Sequence, residues 1–257
     1  MDNELFSLSG KVAVAVGGGG VLAGAMAQGL ARAGADIAIV DFNAEAARQR
    51  AECIRALGRR AIAVQADAAV KKDVERALAS TLAELGGVDV LLNAAGINSG
   101  TPFFEISEDE WHRILDVDLK SVFLGCQVFG KAMVDAGMGG SIINISSASS
   151  GPPLSRVFTY SVAKAGVNQI TQFLAREFAP SRVRVNAILP GFFPAEQNRK
   201  LLTPDRVAKI MGHTPMNRFG EAEELVGMAI YLASDRASSF VTGSLIRVDG
   251  GYAAMTI

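Results

Sequence analysis

A doubly wound α/β domain on a seven-stranded parallel sheet is the fold this sequence predicts, on three observations. From Lys11 onward, short β-branched runs alternate with longer segments of helical period, the signature of repeated βαβ units. Several of those runs are almost continuously apolar, as strands covered by helices on both faces must be. No linker, repeat or low-complexity tract interrupts the alternation, so residues 1–257 read as a single domain.

The elements follow in order. The first strand is expected over 12–16, where Val and Ala alternate, and a helix over 21–33. Further strands are expected over 37–40, 61–66, 88–92, 141–145, 183–188 and 244–248. Helical periodicity covers 43–57, 70–85, 108–136, 157–179 and 221–233, and Ser107 precedes Glu110 at capping-box spacing. The segment 190–215 departs from the pattern by inserting a short amphipathic stretch after the sixth strand. Open α/β sheets bind ligands at the carboxyl ends of their strands, so 190–215 is the expected substrate lid.

Composition removes several functional classes. Apolar residues make up 49% of 257 and charged residues 20%, which excludes disorder and allows a sizeable core. Lys plus Arg is 25 against 26 for Asp plus Glu, a net charge of −1 without like-charged blocks, so nucleic acid is not an expected partner. Residues 12–31 carry no charge over a bilayer-spanning length, but their six glycines and Gln28 suit a strand, turn and helix in water and not a membrane span. Cys53 and Cys126 show neither CxxC nor Cys/His spacing and read as reduced core thiols, so no metal site is expected. His112 and His213 have no visible catalytic partner. The N-terminal decapeptide lacks a basic n-region and an apolar h-region, which places the expected location in the cytoplasm.

Two constellations carry chemistry. The first strand runs into Gly17-Gly18-Gly19-Gly20-Val21-Leu22-Ala23-Gly24 and a helix. Such a loop lets the backbone approach a diphosphate at the helix N-terminus, with Gly17, Gly19, Gly20 and Leu22 as its expected positions. Asp41 ends the second strand, 24 residues beyond Gly17, where a carboxylate can bind both ribose hydroxyls and repel a 2′-phosphate. With no Arg or Lys in the loop, NAD is the expected cofactor; the plainer reading is that Asp41 caps the next helix. The second constellation is Tyr160-Ser161-Val162-Ala163-Lys164, which puts the lysine one helical turn beyond the tyrosine, where its cation can lower the phenol pKa. Ser147, at the end of the fifth strand, can donate to a substrate oxygen.

With these residues in place, the sequence resembles the short-chain dehydrogenases/reductases along essentially its whole length. The resemblance rests on Gly17 to Gly24, Asp41, Asp67, Asn93-Ala94-Ala95-Gly96, Ser147, Tyr160, Lys164, Asn186, Pro190-Gly191 and Val248-Asp249-Gly250-Gly251 in order. It implies a Rossmann fold, Tyr160 as proton donor or acceptor, Lys164 on the tyrosine and nicotinamide ribose, and Ser147 polarising a carbonyl. It further implies Asp67 beside the adenine, Asn93 to Gly96 under the cofactor, and Pro190, Gly191 and Phe193 near the nicotinamide. The glycine run, Asn144-Ile145-Ser146-Ser147, Pro190 to Phe193 and 214–220 look like the mannonate (fructuronate) oxidoreductase-like branch. That likeness implies oxidation of a secondary alcohol on a sugar acid, polyol or sugar. It also implies a homotetramer with contacts along 108–136, 157–179 and 252–257. Arg156, Arg199 and Lys200 are candidates for a substrate carboxylate.

The sequence also departs from the family pattern. Val16 stands for the usual Thr, Ala23 for the last Gly, and Ala195 for a Thr that often meets the nicotinamide amide. The segment from Gly96 to Asp109 is shorter than in the mannonate branch. Asp118 replaces an Asn expected to hold a water in the proton path, and its charge would stabilise Lys164 while raising the Tyr160 pKa. These departures sustain an alternative: a dinucleotide-binding protein with weak or no turnover, acting as a sensor or assembly subunit.

Overall fold

Seven strands, β1 (Val12–Val16), β2 (Asp36–Asp41), β3 (Ala61–Gln65), β4 (Val90–Asn93), β5 (Gly140–Ile145), β6 (Val183–Pro190) and β7 (Leu245–Val248), form one sheet in the order β3-β2-β1-β4-β5-β6-β7. Every pairing is parallel. The computed structural model describes residues 3–152, 154–194 and 202–255. The strand order reverses between β1 and β4, so a crevice opens at their carboxyl ends, beside Gly17 and Ala94.

Alternation along each strand divides the core between two layers. Ala13, Ala15, Ile37, Ile39, Val90, Leu92 and Ile143 face one side; Val14, Ala38, Val40, Leu91 and Ile142 face the other. The first side packs against α1 (Val21–Arg32), α2 (Ala44–Ala56) and α8 (Val226–Ala233). The second packs against α3 (Lys71–Leu85), α5 (Ser121–Ala136) and α6 (Phe158–Phe178). Each fully buried Ile or Leu in these layers contributes about 1.5–3 kcal/mol. Gly29 permits the α1–α8 crossing, since a Cβ there would lie 2.3 Å from Val226 Cγ1.

Three expectations change. The continuous helix expected over 108–136 is α4 (Glu108–Leu115), a π-helical turn (Asp116–Lys120) and α5, with Ser107 capping α4 as the spacing implied. The widened turn carries Asp118, which is fully buried. Strand β4 begins at Val90, later than expected; the Asp89 backbone still donates to Val12 O (2.8 Å) and accepts from Ser141 N (2.9 Å), while its carboxylate accepts from Val12 N (2.8 Å) and pairs with Lys11 (3.1 Å). Cys53 is exposed and not in the core, because the buried face of α2 is Ala47, Ala51 and Ile54, and Cys53 falls off that stripe; Cys126 is buried. Within 190–215 the structure describes α7 (Pro204–Gly212), begun by a Thr203 cap. Ala195, Arg199 and Lys200 lie outside the described residues. Among the described residues no helix is long and apolar enough to cross a membrane.

Candidate active site

The glycine loop acts by shape more than by its own amides. Gly17 has φ +75°, and a Cβ on it would lie 2.7 Å from Ala95 N; a Cβ on Gly18 would lie 2.7 Å from Ala15 O. The N–H groups of Gly17 and Gly18 both go to Val40 O, that of Gly19 to Asp41 Oδ2, and that of Gly20 to Gly17 O. The amides of Gly17, Gly19 and Gly20, three of the expected loop positions, are thus engaged in holding the turn. Gly24 N returns to Gly20 O, which leaves Val21, Leu22 and Ala23 at the α1 N-terminus as the free donors. The loop therefore has the shape to fit a diphosphate, with glycine backbone making room and Leu22 among the amides left unengaged at the helix start.

Asp41 does not cap α2. Asn43 does, accepting from Glu45 N and Ala46 N, while Asp41 accepts from Gly19 N (2.9 Å) and Asn43 N (2.9 Å). Its carboxylate is thereby fixed beside the loop at the end of β2. Asp67 occupies the equivalent place after β3 and accepts from Ala69 N. Asn93, expected with Ala94, Ala95 and Gly96 under the cofactor, ends β4. Its side-chain amide turns into the core, donating to Asn144 Oδ1 (2.9 Å) and approaching Cys126 Sγ (3.4 Å). Asn186 is likewise structural, bonding Val241 O and Ser244 N to seat β7.

Ser147, Tyr160, Lys164 and Asp118 converge at the carboxyl edge of β5. Helix α6 presents Tyr160, Lys164 and Asn168 at four-residue intervals on one face. Lys164 Nζ donates to Ile145 O (3.0 Å), lies 3.4 Å from Asp118 Oδ1 and sits 5.4 Å from the Tyr160 ring centre. Asp118 Oδ2 accepts from Ile97 N (2.9 Å), whereas Oδ1 has no hydrogen-bond partner among the described residues. Gly96 makes that arrangement possible, because a Cβ there would stand 2.8 Å from Asp118 Oδ1.

Burial pushes the Asp118 carboxyl above its usual range, opposed by Lys164 and by the Ile97 N–H. Burial also pushes the Tyr160 phenol up. The Lys164 cation and a hydrogen bond from Ser147 pull it down, and the Asp118 charge pushes it further up. Ser147 Oγ accepts from Ser149 N (3.1 Å) and Ser149 Oγ (3.0 Å), so its single O–H is left to donate towards Tyr160 and the recess.

Sequence reasoning missed the brace behind this group. Ser146 Oγ donates to Asn168 Oδ1 (2.7 Å), Asn168 Nδ2 to Ser150 Oγ (2.9 Å), and Ser150 Oγ to Ser147 O (2.6 Å). The four-residue polar spacing on α6 was the available signal for Asn168. Above Tyr160 lies a recess of about 590 Å³, open to solvent, bordered by Asn98, Ser147, Gly191, Phe192, Phe193 and Arg206, among others. Gly191 packs closely against Asp249, and Phe193 against Gly220, and the chain leaving Pro190 forms one wall of the recess. Arg156 is exposed and has an unusual φ of +71°. His213 packs edge-on to Tyr252 and has no catalytic partner here.

A family model described as enoyl-(acyl carrier protein) reductase matches residues 20–253. The 2-dehydro-3-deoxy-D-gluconate 5-dehydrogenase of Escherichia coli is 38% identical over 250 residues, covering 97% of this chain and 98% of the relative. A gluconate 5-dehydrogenase from Burkholderia cenocepacia, solved with NADP and tartrate, superposes with a TM-score of 0.95 at 33% identity and covers 100% of both chains. A protein of Haemophilus influenza assigned provisionally as a D-mannonate oxidoreductase, solved with NAD, gives 0.91 at 33% identity and covers 97% of each.

Proposed function

Because this chain belongs to the short-chain dehydrogenase/reductase family, we propose that it is an NAD-linked enzyme interconverting a secondary alcohol and a ketone on a sugar acid, with Tyr160 as the acid/base. The observation that carries the reading is the convergence of Ser147, Tyr160 and Lys164 beneath an open recess at the carboxyl edge of the sheet. The sugar-acid class draws on the dehydrogenases that resemble the chain.

When bound, the nicotinamide supplies the hydride acceptor for oxidation and donor for reduction. The loop after β1 would hold the diphosphate on the amides of Val21 to Ala23, Asp41 the adenosine ribose and Asp67 the adenine edge. Asp41 supports NAD because a carboxylate beside the ribose repels a 2′-phosphate, although related structures contain either dinucleotide. Pro190, Gly191 and Phe193 would border the nicotinamide, with Pro190 and Phe193 acting by packing because both are buried.

Ser147 donates to the substrate oxygen, and Tyr160 takes the hydroxyl proton during oxidation or returns it during reduction. Lys164 stabilises the phenolate through space, and Asp118 anchors Lys164 from behind. The 190–215 segment serves as the lid, with α7 as its described part. A binding protein without turnover gains no support from a site in which the acid/base, its cation and its hydroxyl partner are assembled together.

The exposed Phe123 and Phe173 on α5 and α6 favour a homotetramer, working in the cytoplasm. Light scattering at micromolar concentration should give four times the chain mass, and a monomer would overturn this part. The main reading is tested by a screen of sugar acids, alditols and sugars with NAD and NADP, following nicotinamide absorbance. Turnover of a sugar acid with NAD is expected; turnover of neutral sugars alone would remove the sugar-acid assignment.

A further inference from the structure

The recess above Tyr160 has one charged group among its described lining residues, Arg206 on α7. Its other walls are largely apolar: Leu154, Val157, Phe192, Pro194, Leu202 and Phe219 border the same space. Arg206 Nη2 donates to Ser155 O (3.2 Å), which ties the helix to the segment leading into α6. One N–H of the guanidinium is thereby used, and the remaining four have no protein partner among the described residues. No carboxylate is paired with Arg206 or with Arg156 among the described residues, whereas Arg184, Arg218 and Arg236 each meet one.

The charge is also under electrostatic pressure. Partial burial lowers the affinity of Arg206 for its proton, and the neighbouring Arg156 cation lowers it further, with the Tyr252 phenol the single opposing influence. Among the described residues, this half-buried guanidinium faces a like charge and apolar walls and meets no counter-anion. The site that lacks it is open, and it is shared with the proposed acid/base. A carboxylate placed there would gain charge-assisted, two-pronged hydrogen bonds in surroundings of reduced dielectric.

Resting on the sugar-acid reading above, we infer that Arg206 selects the substrate by its carboxylate, making α7 the specificity element that separates sugar acids from neutral alditols. Ser147 and Tyr160 hold the oxygen that reacts, and Arg206 holds the charged end, with Arg156 adding to the positive potential at the mouth. An alditol with the same hydroxyls would leave the guanidinium without its anion. Recognition thus sits on the lid segment, outside the residues that move the proton.

The test uses the full-length protein and a matched pair of substrates: the sugar acid turned over fastest in the screen, and the alditol with CH2OH in place of its carboxylate. For Arg206→Met, the ratio of kcat/KM for the acid to that for the alditol should fall about 30- to 100-fold, mostly through KM for the acid. Arg206→Lys should fall between, because it restores charge without the planar fork. Circular dichroism and NADH fluorescence report that both variants fold and bind dinucleotide. An unchanged ratio in Arg206→Met, with the wild type still preferring the acid, overturns the role of Arg206 and leaves the sugar-acid reading standing. A wild type that prefers the alditol overturns that reading and the inference with it.

Discussion

Asp118 Oδ1 lies 3.4 Å from Lys164 Nζ, with both side chains essentially closed to solvent. A buried carboxylate of this kind anchors the cation beside the proposed acid/base, yet its charge acts on Tyr160 in the sense opposite to that of Lys164. The two effects of one residue can be separated by pH.

Asp118→Asn keeps an acceptor for Ile97 N–H and removes the charge that raises the Tyr160 pKa. Oxidation needs the phenolate, so its rate rises as pH passes upward through the Tyr160 pKa. The rise should therefore occur at lower pH in the Asn variant. A pH series of kcat/KM for both forms checks this; coincident profiles would make Asp118 a spectator, and an inactive variant would show that its carboxylate takes part directly.

Tyr160→Phe removes the proton carrier and leaves the glycine loop and Asp41 untouched. Turnover should fall about 100- to 10,000-fold. Fluorescence titration with NADH should remain near the wild-type curve. Retained turnover would move the acid/base role elsewhere.

Asp41→Ala deletes the carboxylate that meets Gly19 N and Asn43 N. Affinity for NAD should drop about 10- to 100-fold, the loss of charged hydrogen bonds, and affinity for NADP should drop far less. Calorimetric titration with each dinucleotide reads the difference, and equal losses would end the ribose assignment.

Gly17→Ala puts a side chain at φ +75° and against Ala95 N, whereas Gly10→Ala faces similar strain at φ +77° with nothing within 4 Å. The first should cost about 2–5 kcal/mol and lower Tm by roughly 5–15 °C; the second should cost about 1–2 kcal/mol. Differential scanning fluorimetry distinguishes them. Similar losses would mean that the close approach of Ala95 contributes nothing.

Periodicity alone located the strands because the central ones, β1, β4, β5 and β6, are buried on both faces, and the two-residue alternation of Ala13, Val14, Ala15 and Val16 assigns them to opposite layers. The same local logic put Tyr160 and Lys164 on one helix face and the glycine turn at a helix start. Three features were beyond it. The π-helical turn around Asp118 is a one-residue change in helical phase that leaves the apolar pattern of 108–136 almost unaltered, so only packing against Gly96 and Lys164 selects it. The inward direction of the Asn93 side chain is set by Asn144 and Cys126, from another strand and a helix distant in sequence. Arg206 looked like any surface cation, because what makes it a site residue is the recess formed by the ends of β5, β6 and α6, contributed by segments about 45–60 positions earlier in the chain, with the wall after β6 nearer at hand. Local spacing therefore determined most of the elements and the pairing of Tyr160 with Lys164, and tertiary contacts decided the charges that tune and surround them, since electrostatic environment depends on proximity in space and not on separation along the chain.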